Sequence, residues 1–135
     1  ASWLWREIDC SDVSVDIKLS PSGLGVVYLK SKKGVVGMTR CSSSNIRKVG
    51  EDGCQPNGNY TFAGKMKSDI EHVNHEGTLM EYARCFESTR GLYTHLGQIT
   101  ANSSGCLRFS RFWSSMMYQN LEKGTKLTVQ WLDEG

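Results

Sequence analysis

The chain has 135 residues, 39% of them apolar, with 16 Lys and Arg against 14 Asp and Glu for a net charge of +2. That length holds one domain with a real core, spanning 1–135, and leaves little for a second. The near balance of charge gives no electrostatic footprint for nucleic acid, and no apolar run approaches the about 20 residues that cross a bilayer.

Apolar residues mostly alternate by two, the strand signature. Val13, Val15, Ile17 and Leu19 share one face of a first strand, and Ser20-Pro21-Ser22-Gly23 ends it. Residues 24–29 form a second strand, Lys30-Ser31-Lys32-Lys33-Gly34 a solvated hairpin tip, and 35–39 a third strand. The polar stretch 42–53 has no period and reads as loop. Gln55-Pro56-Asn57-Gly58 is a turn before a short strand at Tyr60-Thr61-Phe62. Residues 66–77 read as an irregular insertion. Further strands are predicted at 78–86 and 92–99, and a last one at 126–131, where Leu127, Val129 and Trp131 alternate. Ser110 is placed to cap a helix, because its hydroxyl can accept from an unpaired amide of the first turn. Phe112, Trp113, Met116, Met117 and Leu121 then form an apolar stripe at helical spacing, which reads as core packing, and Gly124 closes the helix. The expected fold is mainly β, a compact sandwich or barrel-like domain with one helix after Cys106.

Five cysteines, Cys10, Cys41, Cys54, Cys85 and Cys106, leave at least one unpaired in a monomer. With Cys106 set aside, the other four allow two disulfides. Cys41 and Cys54 flank the polar loop and are the favoured pair, leaving Cys10 with Cys85. Such bridges would place the protein in a periplasm or outside the cell.

The segment Ser103-Ser104-Gly105-Cys106-Leu107-Arg108 sets a thiol on a tight turn, and His95 lies eleven positions upstream in Tyr93-Thr94-His95-Leu96-Gly97. A thiolate attacks where a thiol scarcely does, so a cysteine nucleophile needs an imidazole or a positive field beside it. Two adjacent antiparallel strands joined through 100–103 would bring His95 to Cys106. Gly105 permits backbone geometry closed to other residues, so the amides of Ser104, Gly105 and Cys106 can converge as an oxyanion hole.

The cysteine block resembles the Ser-His/Ser-Gly-Cys-Ile/Leu-Arg signature of the YkuD-like L,D-transpeptidases. His95-Leu96-Gly97 is similar to that family's upstream histidine, Gln55-Pro56-Asn57-Gly58-Asn59-Tyr60 to its Thr-Pro-x-Gly-x-Phe turn, and 121–129 with Gly124-Thr125 to its closing helix and strand. The resemblance implies a catalytic domain that acts on peptidoglycan stem peptides. Cys106 would attack the L,D peptide bond of a tetrapeptide and release the terminal D-alanine. His95 would be the base, oriented by the carbonyl of Leu96, and Ser104, Gly105 and Cys106 would hold the oxyanion. Arg108, Tyr93 and Leu96 would border the substrate, and no metal or organic cofactor is implied. A secreted or periplasmic monomer is expected, possible as an effector toxin. The chain departs from the pattern in its short interval between His95 and Cys106, in Ser104 where histidine is common, and in Leu96 where a small residue often stands. These departures favour hydrolysis or exchange over efficient cross-linking. The competing reading is a non-catalytic, disulfide-stapled domain that grips wall peptides or a protein partner. His72-Val73-Asn74-His75, flanked by Glu71 and Glu76, lacks the geometry signal of a metal site and reads as a solvated loop.

Overall fold

The structure is a computed structural model that describes residues 10–43, 56–74, 76–89, 91–99 and 106–132. Among the described residues, ten strands and one helix follow in chain order: β1 (Ser14–Leu19), β2 (Leu24–Ser31), β3 (Gly34–Ser42), β4 (Gly58–Thr61), β5 (Glu71–Val73), β6 (Leu79–Glu81), β7 (Arg84–Glu87), β8 (Leu92–Leu96), β9 (Leu107–Phe109), α1 (Arg111–Asn120) and β10 (Lys126–Trp131). Short 3₁₀ turns cover Cys10–Asp12 and Lys67–Ile70. Eight strands make one sheet in the order β4-β10-β1-β2-β3-β9-β8-β7, and β5 and β6 form a separate hairpin. The two edges of the large sheet approach each other, with Phe86 of β7 meeting Tyr60 of β4 edge-to-face at 5.1 Å between ring centroids. The sheet is therefore a nearly closed barrel, the barrel form of the expected mainly-β fold.

Strand parity fills the barrel. Val15, Ile17 and Leu19 of β1 point inward, beside Val27 and Leu29 of β2 and Leu127 and Val129 of β10. Leu107 and Phe109 continue this interior on β9. Helix α1 closes one side, where Trp113 and Met117 join the same core. The Oγ of Ser110 accepts from the Trp113 amide at 3.3 Å, so the expected cap forms. Gly25 is required by close approach: a Cβ there would lie 2.4 Å from the Lys18 carbonyl oxygen.

Arg84 is the largest fully buried side chain among the described residues and ties α1 to the barrel. Its Nη1 donates to the carbonyls of Met117, Tyr118 and Leu121 at 3.3, 3.1 and 2.8 Å, and its Nη2 to the Ala63 carbonyl at 2.8 Å. The last carbonyls of a helix have no partner within it and carry its negative dipole end. A buried guanidinium satisfies both needs at once. Its phenyl neighbour Phe62 sits 5.5 Å below the charge.

Three expectations change. The predicted strand 78–86 is two strands, β6 and β7, broken at Tyr82, whose φ of 55° turns the chain. Within the irregular insertion expected over 66–77, Lys67–Ile70 is a 3₁₀ turn and Glu71–Val73 one strand of a hairpin. Both expected disulfides are overturned, because Cys41 and Cys85 are free thiols. Cys41 faces the core, where burial pushes its thiol up to about 12. Cys85 stands on the outer face of β7, at one edge of a sheet in which β1, the strand after Cys10, is third from the other edge. With them goes the cysteine argument for an oxidising compartment, and the staple of the competing binding-domain reading. Cys54 lies outside the described residues.

Candidate active site

The site is built on the outward face of β7, β8 and β9. Leu92 and Thr94 are buried inward, so Tyr93 and His95 point outward from β8. The register sets Cys85 of β7 opposite Tyr93, and Arg108 of β9 beside His95. Cys106 precedes Arg108 by two positions and so shares its face, directly before β9. One patch of sheet thus carries Cys85, Tyr93, Cys106, His95 and Arg108. The strands are not the expected antiparallel pair. β8 and β9 run parallel, because β9 slots between β3 and β8 and is antiparallel to β3. A parallel neighbour needs a crossover, which is why residues 97–106 separate the two strands.

His95 is held closely. Its Nδ1 lies 2.8 Å from the carbonyl oxygen of Leu96. A carbonyl only accepts, so Nδ1 carries the proton and Nε2 keeps its lone pair. Burial lowers the affinity of the ring for a second proton, and the nearby Arg108 and His72 charges lower it further against the opposing pull of the Leu96 carbonyl. The Cys106 thiol reaches the Gly91 carbonyl at 3.7 Å and takes no part in a disulfide. Arg108 is half-buried; burial disfavours its charge, and a Cys106 thiolate would support it. Tyr93 has its phenol pushed up by burial and by Cys85, Asp69 and Cys106 nearby. Gly97 keeps the room for this arrangement, since a Cβ there would lie 2.6 Å from Cδ and 2.8 Å from Cγ of Arg108.

Sequence reasoning missed a second layer. His72 of β5 packs on Tyr93 with ring centroids 4.7 Å apart, and its Nδ1 lies 3.1 Å from Oδ1 of Asp69. Both side chains are mostly buried, at 21% and 15% exposure. The expected solvated loop around His72 is a strand laid against the site. No local signal marks it, because the contact joins residues far apart in the chain. His75, Ser104 and Gly105 lie outside the described residues, and no cluster able to hold a metal is present among those described.

A cleft of about 520 Å³ lies next to this patch, lined by Val26, Met38, Thr39, Arg40, Ile99 and Ser110. Ser42 of β3 pairs with Arg108, and Arg40 two positions earlier has the same parity, so cleft and site open on one face.

No family model and no curated protein matches the sequence. Solved structures do. An L,D-transpeptidase from Stackebrandtia nassauensis superposes with a TM-score of 0.65 at 16% identity over 87% of this chain. The chain has the L,D-transpeptidase fold. L,D-transpeptidase 3 from Mycobacterium tuberculosis, solved with a faropenem-derived adduct, gives 0.63 at 19% identity, and a further L,D-transpeptidase from the H37Rv strain gives 0.59 at 22%, each over 87% of this chain. This chain spans 55%, 60% and 58% of those three proteins, respectively. Among the described residues no helix is long and apolar enough to cross a membrane.

Proposed function

We propose that the protein is a cysteine acyltransferase or peptidase acting on peptidoglycan stem peptides outside the cytoplasm. The observation that carries this reading is the hydrogen bond from His95 Nδ1 to the Leu96 carbonyl, which leaves Nε2 as a proton acceptor on the face of Cys106. Nε2 takes the thiol proton, and the thiolate attacks the carbonyl of the L,D bond. The lowered proton affinity of His95 then favours passing that proton to the departing D-alanine amine. An acyl-enzyme on Cys106 remains, for water or an amine to resolve. In this reading the amides of Ser104, Gly105 and Cys106 hold the oxyanion, and Arg108, Tyr93 and Leu96 border the stem peptide. The neighbouring cleft, apolar at Val26, Met38 and Ile99 with one Arg40 cation, suits an acidic peptide with alkyl side chains.

The test is D-alanine release from a purified stem tetrapeptide. The wild-type chain releases it, and Cys106→Ala abolishes turnover while its thermal unfolding stays within a few degrees. Unchanged release in that variant refutes the assignment.

A further inference from the structure

Two imidazoles serve this patch, and they are oriented alike but by different partners. His95 gives its Nδ1 proton to a neutral carbonyl. His72 gives its own to a carboxylate, since Asp69 as an anion only accepts. In each ring the remaining nitrogen, Nε2, keeps its lone pair. Tilted packing on Tyr93 holds the ring of His72, and Tyr93 and Cys106 each stand one position before the first pair of the β8–β9 register, Thr94 with Leu107. The two rings are near enough for a charge on His72 to disfavour a proton on His95.

Resolution of an acyl-enzyme needs a base that takes the proton of the incoming acceptor. The Asp69 carboxylate fixes the tautomer and the orientation of His72, so its Nε2 carries the lone pair such a base uses. We propose that Asp69 and His72 form a second base at this site, with Nε2 of His72 removing the proton of the acceptor that resolves the acyl-enzyme. The acceptor, water or the amine of a D-amino acid, forms a bond to the thioester carbonyl carbon. Its proton passes to His72 Nε2 and on to solvent. The C–S bond breaks, and the electron pair leaves on the Cys106 sulfur. The inference rests on the acyltransfer reading above.

The experiment isolates the acyl-enzyme of wild type, His72→Gln and Asp69→Asn and follows the mass of the Cys106 adduct. Decay in buffer alone reads water as acceptor, and decay with added D-methionine reads an amine. Formation of the adduct, measured as D-alanine released in a single turnover, is expected within about 3-fold of wild type in both variants, a change small against the worth of a positioned base. Decay of the adduct is expected to slow on the order of 10²-fold in His72→Gln and less in Asp69→Asn. Decay at the wild-type rate overturns the proposal, and so does equal slowing of formation and decay, which marks a merely structural hairpin. Asp69→Asn keeps size and a hydrogen-bonding group, so it carries the test if His72→Gln unfolds. A wild-type chain that forms no adduct and releases no D-alanine fails the acyltransfer reading itself, and the second base falls with it. A wild-type chain that turns over beside an unaffected His72→Gln fails only the second base.

Discussion

The wall formed by β10, β1, β2 and β3 and the wall formed by β7, β8 and β9 share one interior but differ on their outward faces. The first has long, regular pairs, six between β1 and β10 and six between β1 and β2. Its outward polar groups neutralise one another, as where Lys30 meets Asp16 at 2.7 Å. The second has shorter strands, with three pairs between β8 and β9 and three between β7 and β8, while each wall carries one parallel pair and one bulge. Its outward groups include two thiols, a phenol, an imidazole and a guanidinium, set side by side by the register. One wall spends its sequence on pairing. The other keeps reactive groups side by side on a rigid surface built of shorter strands.

Changes on the second wall should therefore strike activity and spare the fold, and changes at the seam between barrel and helix should do the reverse. The largest effect is expected at His95→Ala, which lowers D-alanine release on the order of 10²–10⁴-fold with little change in the thermal midpoint. A comparable loss of stability there would erase the distinction. Arg84→Met removes the guanidinium and leaves the carbonyls of Ala63, Met117, Tyr118 and Leu121 without it. Urea unfolding should show a loss on the order of 4 kcal/mol, since each buried hydrogen bond to a charged group is worth about 1.5–3 kcal/mol and the vacated space relaxes in part. The smallest effect sharpens the comparison by pH. A buried His95 binds its second proton less readily than a free imidazole, so it remains a competent base below the ordinary histidine range of about 6.5. The rising limb of kcat/KM against pH should have its midpoint below that value, and Arg108→Gln should move it upward by removing a repelling charge. The same lowered affinity makes the unfolded chain bind more protons in that window, so the His95 contribution opposes folding as pH falls through it. A limb centred above the ordinary range would show that His95 is not the titrating base.

Much of the first wall was readable in the sequence, because its rule is local. Val13, Val15, Ile17 and Leu19 alternate, and all four are buried. Ser110 and the stripe Trp113, Met117 and Leu121 identified the helix by capping and period, and all three stripe residues are buried. At the site, His95, Cys106 and Arg108 were visible as residue types, and the structure sets them on one face. Their strand direction was not visible, since a loop of polar residues looks alike whether it turns a hairpin or crosses over. The hairpin bearing His72 escaped for a related reason: its three-residue strands are too short for a period of two to show, and its partner Tyr93 is twenty-one positions away. The cysteines misled because their count argued for bridges, while burial of Cys41 and the outward parity of Cys85 are properties of the folded sheet.

The placement of β10 has a consequence for how the molecule assembles. This last strand lies between β4 and β1, and it joins Lys126 to Ser14 across nearly the whole length of the chain. During synthesis the strands on either side of that gap wait with open edges until β10 emerges from the ribosome. Such long-range closure is slow compared with hairpin formation. A nascent chain ending before Lys126 would offer two sticky margins and an unfinished cylinder, so truncation there should yield aggregates rather than a smaller working protein.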